Sequence, residues 1–176
     1  MDLKPKTKKN LEEAFAGESM ARNKYTYFAS AAKRAGLVQL ANIFLETAEN
    51  EREHAKLWAK KLGLIGENEG NLAAAIAGEH YENSVMYIRM AREAKEEGHE
   101  DIARSFLKVA QAELAHETRY KKLLENLEQN KMFKRDSVKR WKCGNCGYIH
   151  EGEEAPEECP ACKHAKGYFE IFCEPY

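Results

Sequence analysis

The chain has 176 residues, 32% of them charged and 43% apolar, with a formal net charge of −1. This is ordinary soluble globular composition, with room for one sizeable domain or for a medium domain and a small one. The near-neutral charge gives no bulk field to hold nucleic acid or an anionic membrane, no apolar run approaches a membrane span, and the lysine-rich stretch Met1 to Asn10 lacks the apolar core of a secretory signal; the expected location is the cytoplasm.

Residues 10 to about 128 are rich in Ala, Leu, Glu and Lys and contain no proline, the composition of long helices. Apolar residues recur at helical spacing through Leu11, Ala14, Phe15, Ala21, Tyr25 and Phe28, and Glu18 interrupts that stripe. Gly36 and Gly98 each follow a charged, helix-ending stretch and read as residues just past a helix C-terminus. The glycine-bearing segment from Gly63 to Asn71 reads as a linker. The pattern predicts four helices, at roughly 10–35, 38–62, 72–97 and 100–128.

An internal repeat organises these helices. Ala14-Phe15-Ala16-Gly17-Glu18 returns as Ala75-Ile76-Ala77-Gly78-Glu79 at an offset of 61, whereas Glu51-Arg52-Glu53-His54 returns as Glu113-Leu114-Ala115-His116 at an offset of 62. Gly36 and Gly98 are also 62 apart. Helices one and two therefore form a hairpin that helices three and four repeat, and two such hairpins make a pseudo-two-fold four-helix bundle.

Each hairpin offers one mid-helix Glu and one Glu-x-x-His. Residues three apart lie on one helix face, so Glu51 and His54 reach one region together, as do Glu113 and His116. Glu18 and Glu79 come from the other helix of each hairpin. Four carboxylates and two imidazoles resemble the ligand set of ferritin-like di-iron proteins. Buried carboxylates in this number need cations to neutralise them, and oxygen ligands with imidazole suit Fe or Mn. Glu82, three residues after Glu79, shares its face and offers a fifth carboxylate. Glu12, Glu13, Glu46, Glu96 and Glu97 read as solvated surface residues, and His80 and His99 as bland. Tyr25 and Tyr87 fall on apolar stripes and read as core.

From Lys131 to Lys142 the chain is basic and irregular, suiting a linker or a last helical turn. Cys143/Cys146 and Cys159/Cys162 then form two Cys-x-x-Cys pairs, which in a chain without an export signal read as metal ligands. An all-thiolate tetrahedron holds iron or zinc, so His150 and His164 are not needed as ligands. Short strands are expected at 147–150 and 168–172. So small a domain needs its metal to fold. Cys173 is left over, and reads as a small apolar residue.

These features resemble rubrerythrin, a family with an N-terminal ferritin-like di-iron domain and a C-terminal rubredoxin-like domain. The resemblance is carried by Ala14 to Tyr27, Ala48 to Ala55, Ile76 to Tyr87 and Trp141 to Phe172. It implies an all-α ferritin-like four-helix bundle over 1–135 and a rubredoxin-like domain over 136–176. It further implies a non-haem peroxidase that reduces hydrogen peroxide to water with electrons ultimately from NAD(P)H, through a reductase or rubredoxin. By resemblance Glu18, Glu51, Glu79, Glu82, Glu113 and His116 hold two irons in the oxidised site, and one iron exchanges Glu82 for His54 on reduction. A third iron, or zinc, occupies the cysteines. A ferroxidase or iron-storage protein, and a zinc-ribbon interaction module on a structural bundle, are the alternatives.

A homodimer is expected. Helices two and three run parallel in a ferritin-like bundle, so the connection between them climbs roughly 28 Å of helix, and a linker from Leu62 to Asn71 spans at most about 32 Å. Exchange of hairpins between two chains relieves that strain; hairpins kept within one chain are the other arrangement.

Overall fold

A computed structural model of the chain describes residues 3–174. The chain divides into two compact units, one ending at Glu67 and one beginning at Asn68. The first unit is a helical hairpin, α1 (Pro5–Arg34) and α2 (Val38–Leu62). Helix α1 starts five residues earlier than expected because Pro5 occupies its first turn, where a missing N–H costs nothing and the fixed φ already suits the helix. Gly36, at φ 76°, turns the chain into α2.

The second unit opens with α3 (Asn68–Tyr81), passes through a five-residue π-helical turn at Glu82–Met86, and continues as α4 (Tyr87–Glu96). Gly98, at φ 84°, leads into α5 (Glu100–Glu128). Two sequence expectations change here. The linker is shorter than Gly63–Asn71, because Asn68, Glu69 and Gly70 are helical, with Glu69 placed in the first turn where its charge favours the helix dipole. The third helix is not uniform, because the π-turn interrupts it.

Both hairpins pack on small residues. Ala29, Ala32, Ala41 and Ala48 are buried in the first, and Ala91, Ala94, Ala103 and Ala110, each 62 positions later, are buried in the second. Alanine brings the backbones of neighbouring helices close at no cost in side-chain entropy.

After α5 the chain forms a three-stranded antiparallel sheet in the order β2-β1-β3, from β1 (Lys134–Cys143), β2 (Ile149–Glu154) and β3 (Phe169–Ile171). The basic stretch expected to be linker or helix is thus the central strand. Trp141 pairs with His150 on one side and Ile171 on the other. Its side chain is fully buried and its indole N–H donates to the Gly152 carbonyl at 2.9 Å. The core of this part is Trp141, Cys143, Ala155, Cys159 and Phe169, with Phe133, Cys162 and Ile171 packed on it. Two of those five buried residues are metal-ligand candidates, so this core alone is too small to hold the fold. Among the described residues no helix is long and apolar enough to cross a membrane.

Candidate metal centres

Glu18 stands on α1, Glu51 and His54 one turn apart on α2, and the three offer ligand atoms within 4.8 Å of one another. His54 Nδ1 lies 2.8 Å from Glu51 Oε2 and 3.8 Å from Glu18 Oε1. The second unit repeats the arrangement: His116 Nδ1 is 2.7 Å from Glu113 Oε2 and 3.4 Å from Glu79 Oε2. Glu79, Glu113 and His116 also fall within 4.8 Å. Both imidazoles therefore turn the same nitrogen toward two carboxylates, one from each helix of the hairpin.

The electrostatics of the two triads test whether cations suit them. Burial raises the carboxyl pKa of Glu18, and the facing Glu51 raises it further, against a smaller lowering by His54. Burial and then Glu113 raise Glu79 in the same way. Glu79 Oε2 is buried with no hydrogen-bond partner, a costly state for a carboxylate oxygen unless a cation completes it. These are acceptor-rich sites short of positive charge, and iron fits the donor set.

Glu82 is half-buried in the π-turn and stands outside the two triads. Burial, then the charges of Glu82 and Glu113, raise the pKa of the Tyr87 hydroxyl. Tyr25 and Tyr87 are half-buried in aromatic contacts, the first against Phe28 and Phe44, the second against Phe106.

The four cysteines converge. Cys143 and Cys162 Sγ are 3.7 Å apart, as are those of Cys146 and Cys159, and all four lie within 4.8 Å. The edge of a tetrahedron with metal–sulfur bonds of about 2.3 Å is about 3.8 Å. The backbone N–H of His164 pulls the Cys162 thiol down to about 6. Cys146 is helped toward thiolate by the Tyr148 backbone N–H, yet the crowding thiols of Cys162, Cys159 and Cys143, together with burial, push it up to about 12. Four sulfurs so close cannot all ionise without a cation between them. His164 takes no place among the sulfurs; its Nδ1 lies 3.2 Å from the Cys162 carbonyl and its ring packs edge-on to Tyr168. Cys173 is exposed and takes no part in the cluster.

The rubrerythrin family model matches residues 9–124, and the model of the rubrerythrin rubredoxin-like domain matches residues 141–170. The chain belongs to the rubrerythrin family. It is 50% identical to rubrerythrin of Clostridium perfringens, with 97% of this chain and 96% of the relative covered. It is 48% identical to rubrerythrin of Nitratidesulfovibrio vulgaris, with 94% of each chain covered. A solved structure of nigerythrin in a partially reduced state is 33% identical over 98% of this chain and 88% of that one, but superposes with a TM-score of only 0.37. The fold is accordingly ferritin-like with a rubredoxin-like C-terminal part, and its carboxylate–histidine and four-cysteine sites suit iron.

One group of side chains in this rubrerythrin was not singled out from the sequence. Glu117 is 3% exposed, the one buried charged residue among those described. It accepts from Asn83 and Lys121 and lies 3.1 Å from His80 Nδ1. His80 is therefore engaged, contrary to the bland reading. The signal was present: Glu117 stands 62 positions after Ala55, a buried alanine of the first hairpin.

Proposed function

We propose that this rubrerythrin is a non-haem di-iron peroxidase that reduces hydrogen peroxide to water in oxidative-stress defence. The observation that carries the reading is the presence, in one chain, of two equivalent Glu/Glu/His triads and a four-sulfur site. Storage of iron needs no built-in electron donor, which sets the ferroxidase alternative lower. Peroxide takes up two electrons and two protons as its O–O bond breaks, giving two waters. Two ferrous ions held by the carboxylate–histidine residues would supply the two electrons, and an iron held by the four cysteines would supply their replacement.

Glu18, Glu51, Glu79, Glu82, Glu113 and His116 would hold the pair, with His54 replacing Glu82 on one iron in the reduced state. Cys143, Cys146, Cys159 and Cys162 would hold the third iron. The carboxylates would offset the charge of the ions. His54 Nδ1 is already turned toward Glu18 and Glu51, so its recruitment needs no ring flip. The working division is 1–135 for the di-iron bundle and 136–176 for the four-cysteine domain. The electron source is NAD(P)H through a separate reductase or rubredoxin, and the five free cysteines suit a reducing cytoplasm.

The reach of the chain supports an assembly of two copies. Helix α2 continues past Glu51 to Leu62, and α3 begins at Asn68, well before Glu79. Each stretch is about 16 Å of helical rise, so a ferritin-like connection would climb about 33 Å. The six Cα steps from Leu62 to Asn68 span at most about 22 Å. That shortfall supports a site shared between two chains. A homodimer with exchanged hairpins supplies Glu18, Glu51 and His54 from one protomer and Glu79, Glu113 and His116 from the other. Exposed large apolar side chains on both hairpins, such as Ile43 and Leu114 at 53% each, suit such a pairing.

The test of the function is metal content, visible spectrum and peroxide turnover of the purified full chain. Fe–thiolate absorption and peroxide-dependent NAD(P)H oxidation with an added reductase are expected. A colourless zinc protein, or a growing mineral core in place of peroxide turnover, overturns the reading.

A further inference from the structure

Between the repeated Glu and the repeated Gly the two hairpins differ in length by one residue, and among the described residues only the second buries a charged side chain. From Glu18 to Gly36 the first runs 18 positions, whereas from Glu79 to Gly98 the second runs 19. The structure accommodates the added residue in the π-turn, where the Tyr87 N–H bonds back to the Glu82 carbonyl, five residues away instead of four. An unabsorbed insertion would rotate everything after it by about 100°. That buried charge is Glu117, whose repeat partner is the buried Ala55.

These two differences touch. Asn83, inside the π-turn, donates through Nδ2 to Glu117 Oε2 at 2.7 Å and to the Glu79 carbonyl at 2.7 Å. Glu117 Oε1 is held by Lys121 Nζ at 2.5 Å, with His80 Nδ1 at 3.1 Å, which leaves Oε2 to Asn83. The lysine offsets the cost of burying the carboxylate. The first hairpin, with a regular α1 and an alanine at the equivalent position, has no such link.

We propose that Asn83 and Glu117 are positioning residues: they clamp the π-turn to α5 and so fix where Glu82 stands relative to Glu79. A π-turn sacrifices regular helical hydrogen bonding and occurs mostly at functional sites; a buried charged hydrogen bond across to the next helix gives it the rigidity that a movable carboxylate ligand needs behind it. The consequence for metal binding rests on the proposed role of Glu82 as a ligand; the clamp itself does not.

The experiment has two arms on the full chain. In metal-free protein, backbone hydrogen exchange is measured across 82–87. Glu117→Ala, which copies the buried alanine of the first hairpin, accelerates exchange there about tenfold or more and leaves α1 and α2 unchanged. Glu117→Gln, which retains an acceptor for Asn83, keeps exchange slow. Asn83→Asp sets two carboxylates against each other and is fast, and adding Glu117→Gln to it restores slow exchange. Unchanged exchange in Glu117→Ala, or equal effects of Gln and Ala, overturns the clamp.

In the second arm Co(II) is the probe of the di-metal site. Glu117→Ala shifts its visible spectrum and weakens its binding, and in a Glu82→Ala background the same substitution adds nothing. If Glu82→Ala alone leaves Co(II) binding and spectrum unaltered, the ligand role of Glu82 fails while the exchange arm still judges the clamp. If the two substitutions simply add, the clamp does not act through Glu82.

Discussion

The ring of Tyr87 lies 5.9 Å from that of Phe106, with the planes inclined at 33°. Tyr25 and Phe44, each 62 positions earlier, make nearly the same contact at 6.1 Å and 30°. Tyr87 is the first residue after the π-turn. The added residue has therefore been absorbed before the aromatic contact, so that the later part of the helix keeps the phase of its repeat while Glu82 and Asn83 carry the change.

Exchange of hairpins is tested by complementation. A Glu18→Ala chain and a Glu113→Ala chain are each expected to be inactive alone. Unfolded together and refolded, half of the dimers are mixed, and each mixed dimer contains one intact site of two. Recovery of about a quarter of the wild-type activity is expected. No recovery, with mixed dimers demonstrated by mass, places both hairpins of each site in one chain.

His54 is expected to matter on one side of the redox cycle. Replacing it with alanine should leave the oxidised form assembled with its full iron, since His54 is not among the six ligands proposed for that state. Re-oxidation of the reduced protein by peroxide should slow by at least about tenfold, measured by stopped-flow absorbance. Loss of iron from the resting protein would show that His54 is a permanent ligand.

The four-cysteine domain should be separable. Helix α5 ends at Glu128 and β1 starts at Lys134, so ending the chain at Asn130 avoids exposing a lone strand. All carboxylate and imidazole ligands are retained. The shortened protein should bind iron and react once with peroxide after chemical reduction, but sustain no NAD(P)H-linked turnover. Undiminished turnover would place electron entry elsewhere.

In the C-terminal domain Lys166 bonds both Glu154 and Glu157. Its amine pKa is raised by Glu154 first and Glu157 second, and the Glu154 carboxyl is lowered by Lys166. A carboxyl lowered on folding adds stability above its unfolded pKa, and that stability is lost as pH falls through the folded value. Acid should therefore weaken this domain below about pH 4, near the ordinary glutamate value. Lys166→Met should flatten that dependence, by at most a modest amount because the pair is partly solvated. An acid limb in the unfolding midpoint that is the same for both proteins would exclude Glu154 as its source.

The hairpin repeat, the six Glu and His positions of the two triads and the four cysteines were legible in the sequence because each rests on local periodicity. Helical spacing puts Glu51 with His54 and Glu113 with His116, and two Cys-x-x-Cys knuckles bring their own ligands together. The offsets of 61 and 62 even recorded the added residue. The tertiary structure alone decided that this residue widens the turn at Glu82 instead of looping out. It also decided that Asn83 meets a carboxylate 34 positions away, and that the basic stretch from Lys134 becomes the central strand of a sheet. Those outcomes depend on hydrogen bonds and burial between segments far apart in the chain, and no pattern read along a single segment contains them.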